Sequence, residues 1–322
     1  MIVAELSANH LGDLNRALKL IDMAAWAGAD AVKLQTYKPK DMIAIDRPCP
    51  DGPWKGRSLK SLYEEAMTPW HWHERLFYHA RANGLLCFSS PFSVDAVRFL
   101  EQFNPPYYKI ASFEITDLQL IEAAALTGKP LIISTGCATD VDIRNAIGVC
   151  KRFETQLTLL HCISNYPADP SQMNLPRIRY LQKEFGCDVG LSDHSLSTTI
   201  PAIATALGAT IIEKHLTLAR ADGGPDAAFS LEPQEFKLIV DTVRETKLAL
   251  QPCRPHQPLA SMKRSLHAIT DITQGDTFTA DNIGAVRSDR GLLPIYLNSV
   301  IGKHAKLNIT KGTPLSVDLC GL

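Results

Sequence analysis

The chain has 322 residues, 45% of them hydrophobic and 21% charged, with a net charge of −1 at pH 7. That composition is ordinary for a soluble globular protein, and the length accommodates one barrel of roughly 250 residues with a small second domain. Near-neutrality excludes a global field for nucleic acid or an anionic membrane surface, so any anion recognition must be local.

In chain order, short apolar runs alternate with helical patterns about eight times. Strands are expected at 2–6 (IVAEL), 31–36 (AVKLQT), 85–90 (LLCFSS), 107–112 (YYKIAS), 131–135 (LIIST), 157–162 (LTLLHC), 188–193 (DVGLSD) and 210–216 (TIIEKHL). Most are separated by stretches of 3.6-residue periodicity, such as 14–28 and 93–103. Asp13 and Ser93 are the expected N-caps, Gly28 and Gly128 the expected C-caps. Strand–helix alternation implies parallel strands with crossover helices. Eight repeats in this length point to an α/β protein with a closed (β/α)8 TIM barrel over residues 1–250. A long insertion at 38–72, rich in aromatic and polar residues, interrupts the repeat and is expected to shape a pocket or an interface.

The texture changes at 251–261 (QPCRPHQPLAS), which has three prolines and no periodicity and reads as a linker. Residues 262–322 follow as short strands broken by Gly, Asp and Thr turns. This β-rich module has a thin core that leans on a partner surface, in its own chain or in another subunit. The chain opens directly on a strand, without a basic stretch ahead of an apolar core, so no signal peptide is expected. No apolar run reaches membrane-spanning length. The eight cysteines form no CxxC pair, and several lie inside apolar runs, as expected for reduced thiols in a cytoplasmic enzyme.

The chemistry concentrates at strand ends. His194 (GLSDHS) and His215 (IIEKHL) lie 21 residues apart, one strand–helix–strand step. Each ends an apolar run, at the barrel face that carries active sites. Either histidine alone could simply bond the backbone. Converging, two neutral imidazoles can hold a divalent metal with positions left open for substrate. Lys33 and Lys109 sit on strands, where a buried lysine needs an anion or an internal ion pair. Ser112, Ser134 and Ser192 sit at or just past strand ends and can donate to anionic oxygens. Glu5, Glu114 and Asp226 are the acidic candidates. Glu114 is placed to orient water or move a proton. Asp226, in the glycine-bearing segment 220–233 expected to fold over the site, is placed to hold a sugar hydroxyl. Glu213 reads as structural.

KLQT (33–36), YKIAS (108–112), STG (134–136), GLSDHS (190–195) and IEKH (212–215) resemble, in order and spacing, the sialic-acid synthase family, whose opening strand AELSANH (4–10) also resembles. The C-terminal module resembles that family's antifreeze-like (SAF) domain. Three stretches (54–73, 110–121 and 222–233) look more like the pseudaminic acid synthase branch than the N-acetylneuraminate or legionaminate synthases. The resemblance implies condensation of phosphoenolpyruvate with an open-chain acetamido sugar, 2,4-diacetamido-2,4,6-trideoxy-L-altrose in that branch. His194 and His215 would hold Mn²⁺, with Mg²⁺ or Co²⁺ as alternatives. Lys33, Lys109, Ser112, Ser134 and Ser192 would bind phosphoenolpyruvate; Gln35, Tyr166 and Asp226 would contact the sugar; Glu114, with Glu5 nearby, would handle water and protons. Ser164 stands where neuraminate synthases usually place an asparagine, so that contact passes to Ser164 or Asn165. Arg287, or Arg290 if the loop is offset, resembles the SAF arginine that reaches the partner subunit's active site, which implies a homodimer. A 6-deoxy sugar calls for an apolar wall, for which Trp54, Trp70 and Trp72 are the candidates.

Overall fold

The computed structural model describes residues 1–252 and 263–322, which form two units, Met1–Gln251 and Pro252–Leu322. From residue 253 onward, the expected linker lies outside the described residues. No described helix is long and apolar enough to cross a membrane.

The first unit is a closed barrel of eight parallel strands: β1 (Ile2–Glu5), β2 (Ala31–Thr36), β3 (Leu86–Pro91), β4 (Tyr108–Ile110), β5 (Leu131–Ser134), β6 (Leu157–Cys162), β7 (Asp188–Asp193) and β8 (Ile212–His215). Closure comes from β1 pairing with β8, with Glu5 opposite His215. The helices are α1 (Leu14–Ala27), α2 (Pro39–Met42) and α3 (Leu59–Ala66) within the 38–72 insertion, α4 (His73–Ala82), α5 (Val94–Leu100), α6 (Leu118–Ala125), α7 (Asp140–Arg152), α8 (Arg177–Phe185), α9 (Ile200–Ala206) and α10 (Pro233–Ala249). Asp13 caps α1 by accepting from Asn15 N, and Gly28 ends it at φ +84°, a conformation that favours glycine. Ser93 caps α5. Gly128 is not the cap of α6: Leu126 takes that position and Gly128 turns the chain two residues later.

Period-2 alternation sorts the strand residues into two environments. One face, with Ala4, Val32, Leu34, Ile110, Ile133, Leu159, Leu191 and Ile212, packs against the helices in the main apolar core. The other face fills the barrel. Its lower layer is a separate apolar plug of Val3, Ala31, Phe88, Ile132, Leu160 and Ile211. Two residues further along β1, β2, β5 and β8, the inward positions become Glu5, Lys33, Ser134 and Glu213, all buried. Gly190 on β7 fits because it has no side chain. A Cβ there would lie 2.4 Å from the Ile211 carbonyl oxygen and 2.7 Å from Leu160 Cδ2.

The insertion is pinned to the end of β2. Tyr37 donates to the Tyr63 carbonyl at 3.2 Å, Trp70 Nε1 donates to the Tyr37 carbonyl at 3.0 Å, and Thr36 Oγ1 meets His73 Nε2 at 2.7 Å.

The second unit has its own core around Leu266, Ile272, Phe278, Ile283, Val300 and Leu315. Its ladder is shorter than the sequence suggests. Among the described residues only β9 (Arg264–Ala268) and β10 (Ile283–Arg287) pair as a ladder, antiparallel, and other segments meet in single bridges such as Ile272–Ile309. Turns with positive-φ glycines at Gly275, Gly302 and Gly312 redirect the chain before longer ladders form.

Gly190→Ala is expected to overpack the barrel interior and lower stability by about 1–3 kcal/mol. Urea denaturation of the full-length protein measures it, and an unchanged midpoint would contradict the close packing described.

Candidate active site

The charged layer sits on the apolar plug at the C-terminal mouth of the barrel. Lys33 Nζ lies 2.6 Å from Glu5 Oε2, 3.5 Å from Glu213 Oε1 and 3.3 Å from Ser90 Oγ. Ser192 donates to Glu213 at 3.0 Å. Burial and the adjoining Glu213 push the Glu5 carboxyl up to about 7, although Lys33 pulls the other way. Burial opposes ionisation of Glu213 as well, but Lys109, Lys33 and the Ser192 hydroxyl together hold it below the usual carboxylate range. Lys33 has the internal ion pair that a strand lysine requires, and Glu213 is part of it. The reading of Glu213 as purely structural therefore gives way to a place in the site's charge network.

Lys109 differs. Its ammonium donates to Ser134 Oγ at 2.6 Å and to the Ile110 carbonyl at 3.1 Å. The buried lysines Lys33 and Lys214 have carboxylate partners, whereas Lys109 has none among the described residues. Burial lowers its pKa, with Glu213 opposing that effect and the charge of Lys33 adding to it. Close by, Ser164 donates to Ser112 Oγ at 3.3 Å, and Ser112 Oγ accepts from Cys137 N at 2.8 Å. Gly136 leaves this nest open: a Cβ would come within 2.5 Å of Ser164 Oγ, 2.6 Å of Cys162 Sγ and 3.0 Å of Ser112 Oγ. An ammonium without a carboxylate beside hydroxyls is an environment suited to an anion.

His194 and His215 converge with ring centroids 5.5 Å apart. His194 Nδ1 donates to the Ile163 carbonyl at 3.0 Å, which leaves its Nε2 lone pair available. His215 Nδ1 is buried without a hydrogen-bond partner. Burial holds His194 down to about 4 and His215 well below its ordinary value, the latter helped by the surrounding cations. Two neutral imidazoles with available nitrogens fit a divalent ion. No group of three or more His, Cys, Asp or Glu side chains suited to a metal occurs among the described residues, so the remaining coordination positions would fall to substrate or water.

Above the charged layer, Gln35 Nε2 donates to Glu5 Oε1 at 3.2 Å and to Ser7 Oγ at 2.9 Å. Ser7 donates to Asp226 Oδ2, which also accepts from Ala8 N at 3.2 Å. Ser7 holds φ +42°, a left-handed conformation rare for a residue with a side chain. Glu114 Oε2 is buried without a partner, and burial raises that carboxyl to about 7 against the pull of Lys109.

An aromatic roof covers the histidines. Tyr166 lies 4.5 Å from His194 and Phe229 4.9 Å from His215, centroid to centroid. Trp54, from the insertion, tilts over Tyr166 at 5.4 Å and donates Nε1 to the Pro225 carbonyl at 2.6 Å, which joins the insertion to the 220–233 segment. Of the three candidate wall residues, only Trp54 stands here. Trp70 stacks on Phe99 at 4.3 Å under Lys38, and Trp72 is buried against His10. The sequence does not carry this difference, because each indole is placed by its own partner.

The barrel thus brings together Glu5, Lys33, Gln35, Lys109, Ser112, Glu114, Ser134, Ser164, Tyr166, Ser192, His194, His215 and Asp226. Arg287 is exposed on β10 of the second unit, and Arg290 is also exposed. Sequence reasoning missed Ser7, Ser90, Cys162 and Phe229. Glu213 is named from the sequence but reads there as structural; a period-2 count back from His215 puts it on the same strand face as that histidine. The sharp turn at Ser7 leaves no such signal.

The sequence pattern of the NeuB family matches residues 20–254, and that of the SAF domain matches residues 263–318. A pseudaminic acid synthase of Helicobacter pylori is 43% identical over 98% of this chain and 96% of its own length. An N,N'-diacetyllegionaminic acid synthase of Campylobacter jejuni is 34% identical over 96% of each. The solved N-acetylneuraminic acid synthetase of Leptospira borgpetersenii, in complex with citrate, matches with a TM-score of 0.72 at 35% identity, covering 80% of this chain and 87% of that one.

The raised Glu114 carboxyl has a stability signature. Its proton is held more tightly in the folded state than in the unfolded chain, so its ionisation weakens the fold as pH rises from about 4.5 to about 7. Glu114→Gln removes that term. Its melting temperature relative to wild type is expected to climb across this window and level off above it. A pH-independent difference would contradict the buried, raised carboxyl.

Proposed function

The chain belongs to the NeuB family, and from that premise we propose that it condenses phosphoenolpyruvate with 2,4-diacetamido-2,4,6-trideoxy-L-altrose to give pseudaminic acid and phosphate. The observation that carries this reading is the pairing, at one barrel mouth, of two neutral imidazoles with an ammonium that lacks a carboxylate partner and a nest of hydroxyls. The full-length similarity to pseudaminic acid synthases supports the choice of sugar.

Lys109, with Ser134, Ser112 and Ser164, takes the phosphate and carboxylate of phosphoenolpyruvate, and Gly136 leaves room for their oxygens. Lys33 begins neutralised by Glu5 and Glu213, so it acts on a bound anion by sharing its charge. Anion binding therefore favours the ionised lysines and disfavours any third negative charge in the layer. The alkene C3 of phosphoenolpyruvate forms a bond to the sugar's C1, and the aldehyde oxygen gains a proton. Positive character develops at C2, where the charged layer offers Glu5 and Glu213. Water adds to C2, and Glu114, whose pKa near 7 suits it to accept and release a proton, relays one of the water's protons to the sugar's C1 oxygen while the other leaves the C2 hydroxyl with the departing phosphate. Cleavage of the C2–O bond then expels phosphate and leaves the ketone. Gln35 and Asp226 hold sugar hydroxyls, and Tyr166 with Trp54 forms the wall beside the apolar C6 methyl.

His194 and His215 are the residues that would hold a divalent ion, Mn²⁺ or else Mg²⁺ or Co²⁺. It would supply Lewis-acid polarisation of the aldehyde oxygen. The same reading makes the protein a cytoplasmic homodimer in which Arg287 of one copy contacts an N-acyl group bound in the other. Arg287 is exposed and has no ion-pair partner among the described residues, consistent with such a contact. Light scattering tests the dimer.

Phosphate release is the direct assay, with phosphoenolpyruvate, Mn²⁺ and each of three sugars: the altrose, its diacetamido mannose analogue and N-acetylmannosamine. Release with the altrose alone, abolished by chelator and lowered at least about 100-fold in Lys109→Met, is the expected result. Preference for N-acetylmannosamine would keep the chemistry and overturn the sugar. No release with any sugar would favour a barrel that binds without catalysing.

A further inference from the structure

Behind the two histidines, on the helix-facing side of the barrel wall, lies an ion pair that plays no part in the chemistry above. Asp193 and Lys214 are register partners on β7 and β8, and each is the residue immediately before a site histidine. Lys214 Nζ lies 2.6 Å from Asp193 Oδ2, and both side chains have no solvent exposure. Their neighbours on the same strand face, Leu191 and Ile212, belong to the main apolar core.

Two full charges in such a layer are costly to desolvate, and apolar residues of similar volume often serve stability as well or better. The pair's contacts point to a different role. β7 ends at Asp193, so His194 is the first residue beyond the strand. Asp193 Oδ1 accepts from Ser195 N at 2.8 Å, and Lys214 Nζ also donates to the Ser195 carbonyl. Asp193 and Lys214 together thus clip the backbone of Ser195, the residue just after His194, and tie it to the strand that carries His215.

We propose that Asp193 and Lys214 are positioning residues that hold His194 and His215 as a preorganised pair for a divalent ion. The proposal rests on the metal reading above. Groups that orient metal-binding histidines typically contribute about 10–100-fold in metal affinity when removed.

The test uses the full-length protein carrying Asp193→Leu with Lys214→Met, which removes both charges and keeps the layer apolar. Mn²⁺ affinity is read from the electron paramagnetic resonance signal of the free ion, with His194→Ala as reference, and folding from circular dichroism and the melting curve. The expected result is a cooperative melt close to wild type with Mn²⁺ binding weakened about 10–100-fold. If the double variant binds as wild type while His194→Ala does not, the positioning role is overturned and the metal reading stands. If His194→Ala itself binds Mn²⁺ as wild type, the metal reading falls and the proposal with it. Should the apolar pair fail to fold, Asp193→Asn with Lys214→Met keeps the volume and an acceptor for Ser195 N, while removing the ion pair and the Lys214 contact to the Ser195 carbonyl. Mn²⁺ binding weakened at least about 10-fold then supports the clip, and wild-type affinity overturns it.

Discussion

Two ammonium groups inside one closed barrel govern the architecture of the mouth. Lys33 and Lys109 both point into a space whose floor is Phe88, Ile132 and Leu160. Such charges persist only if compensated. Glu5 and Glu213 compensate Lys33, while Lys109 is left with a serine hydroxyl and a backbone carbonyl. The inequality matters more than the count. A fully balanced layer would have little reason to recruit an anion, whereas one lysine without a carboxylate, beside Ser112, Ser164 and the open space at Gly136, has a local reason to do so. A chain of near-zero net charge can therefore bind an anion without any global field.

The same layer keeps the histidines neutral. Burial penalises an imidazolium at both positions, and at His215 the neighbouring cations add repulsion, so both rings stay in the form that can donate a lone pair. The tautomer of His194 is then set by the Ile163 carbonyl. Glu5 and Glu114 are pushed the opposite way, into the range where a carboxyl can both accept and return a proton near neutrality. One physical cause, burial, prepares both kinds of group.

The roof is where the substrate would be distinguished. Its elements come from distant parts of the chain, and the Trp54–Pro225 hydrogen bond joins the insertion to the segment after β8. Barrel strands fix the reacting groups to the precision of a hydrogen-bonded ladder. The loops above adjust size and polarity without disturbing that ladder, which is how one scaffold serves related sugars.

Alternation of apolar runs with helical patterns made the eight-stranded barrel legible from the sequence, and the strand-end positions of His194, His215, Lys33 and Lys109 marked the mouth. These readings work because strand and helix periods are local properties. The left-handed turn at Ser7, the separate fates of Trp54, Trp70 and Trp72, and the shortness of the second unit's ladder were not legible, because each depends on a partner far away in sequence. The place of Glu213 was nearly legible, since its distance from His215 fixes its face, but the partner it meets there is supplied by another strand. The sequence by itself thus determined which residues line the barrel. Only the tertiary structure decided which lysine would be neutralised, because that follows from how closely side chains of neighbouring strands approach inside the closed wall.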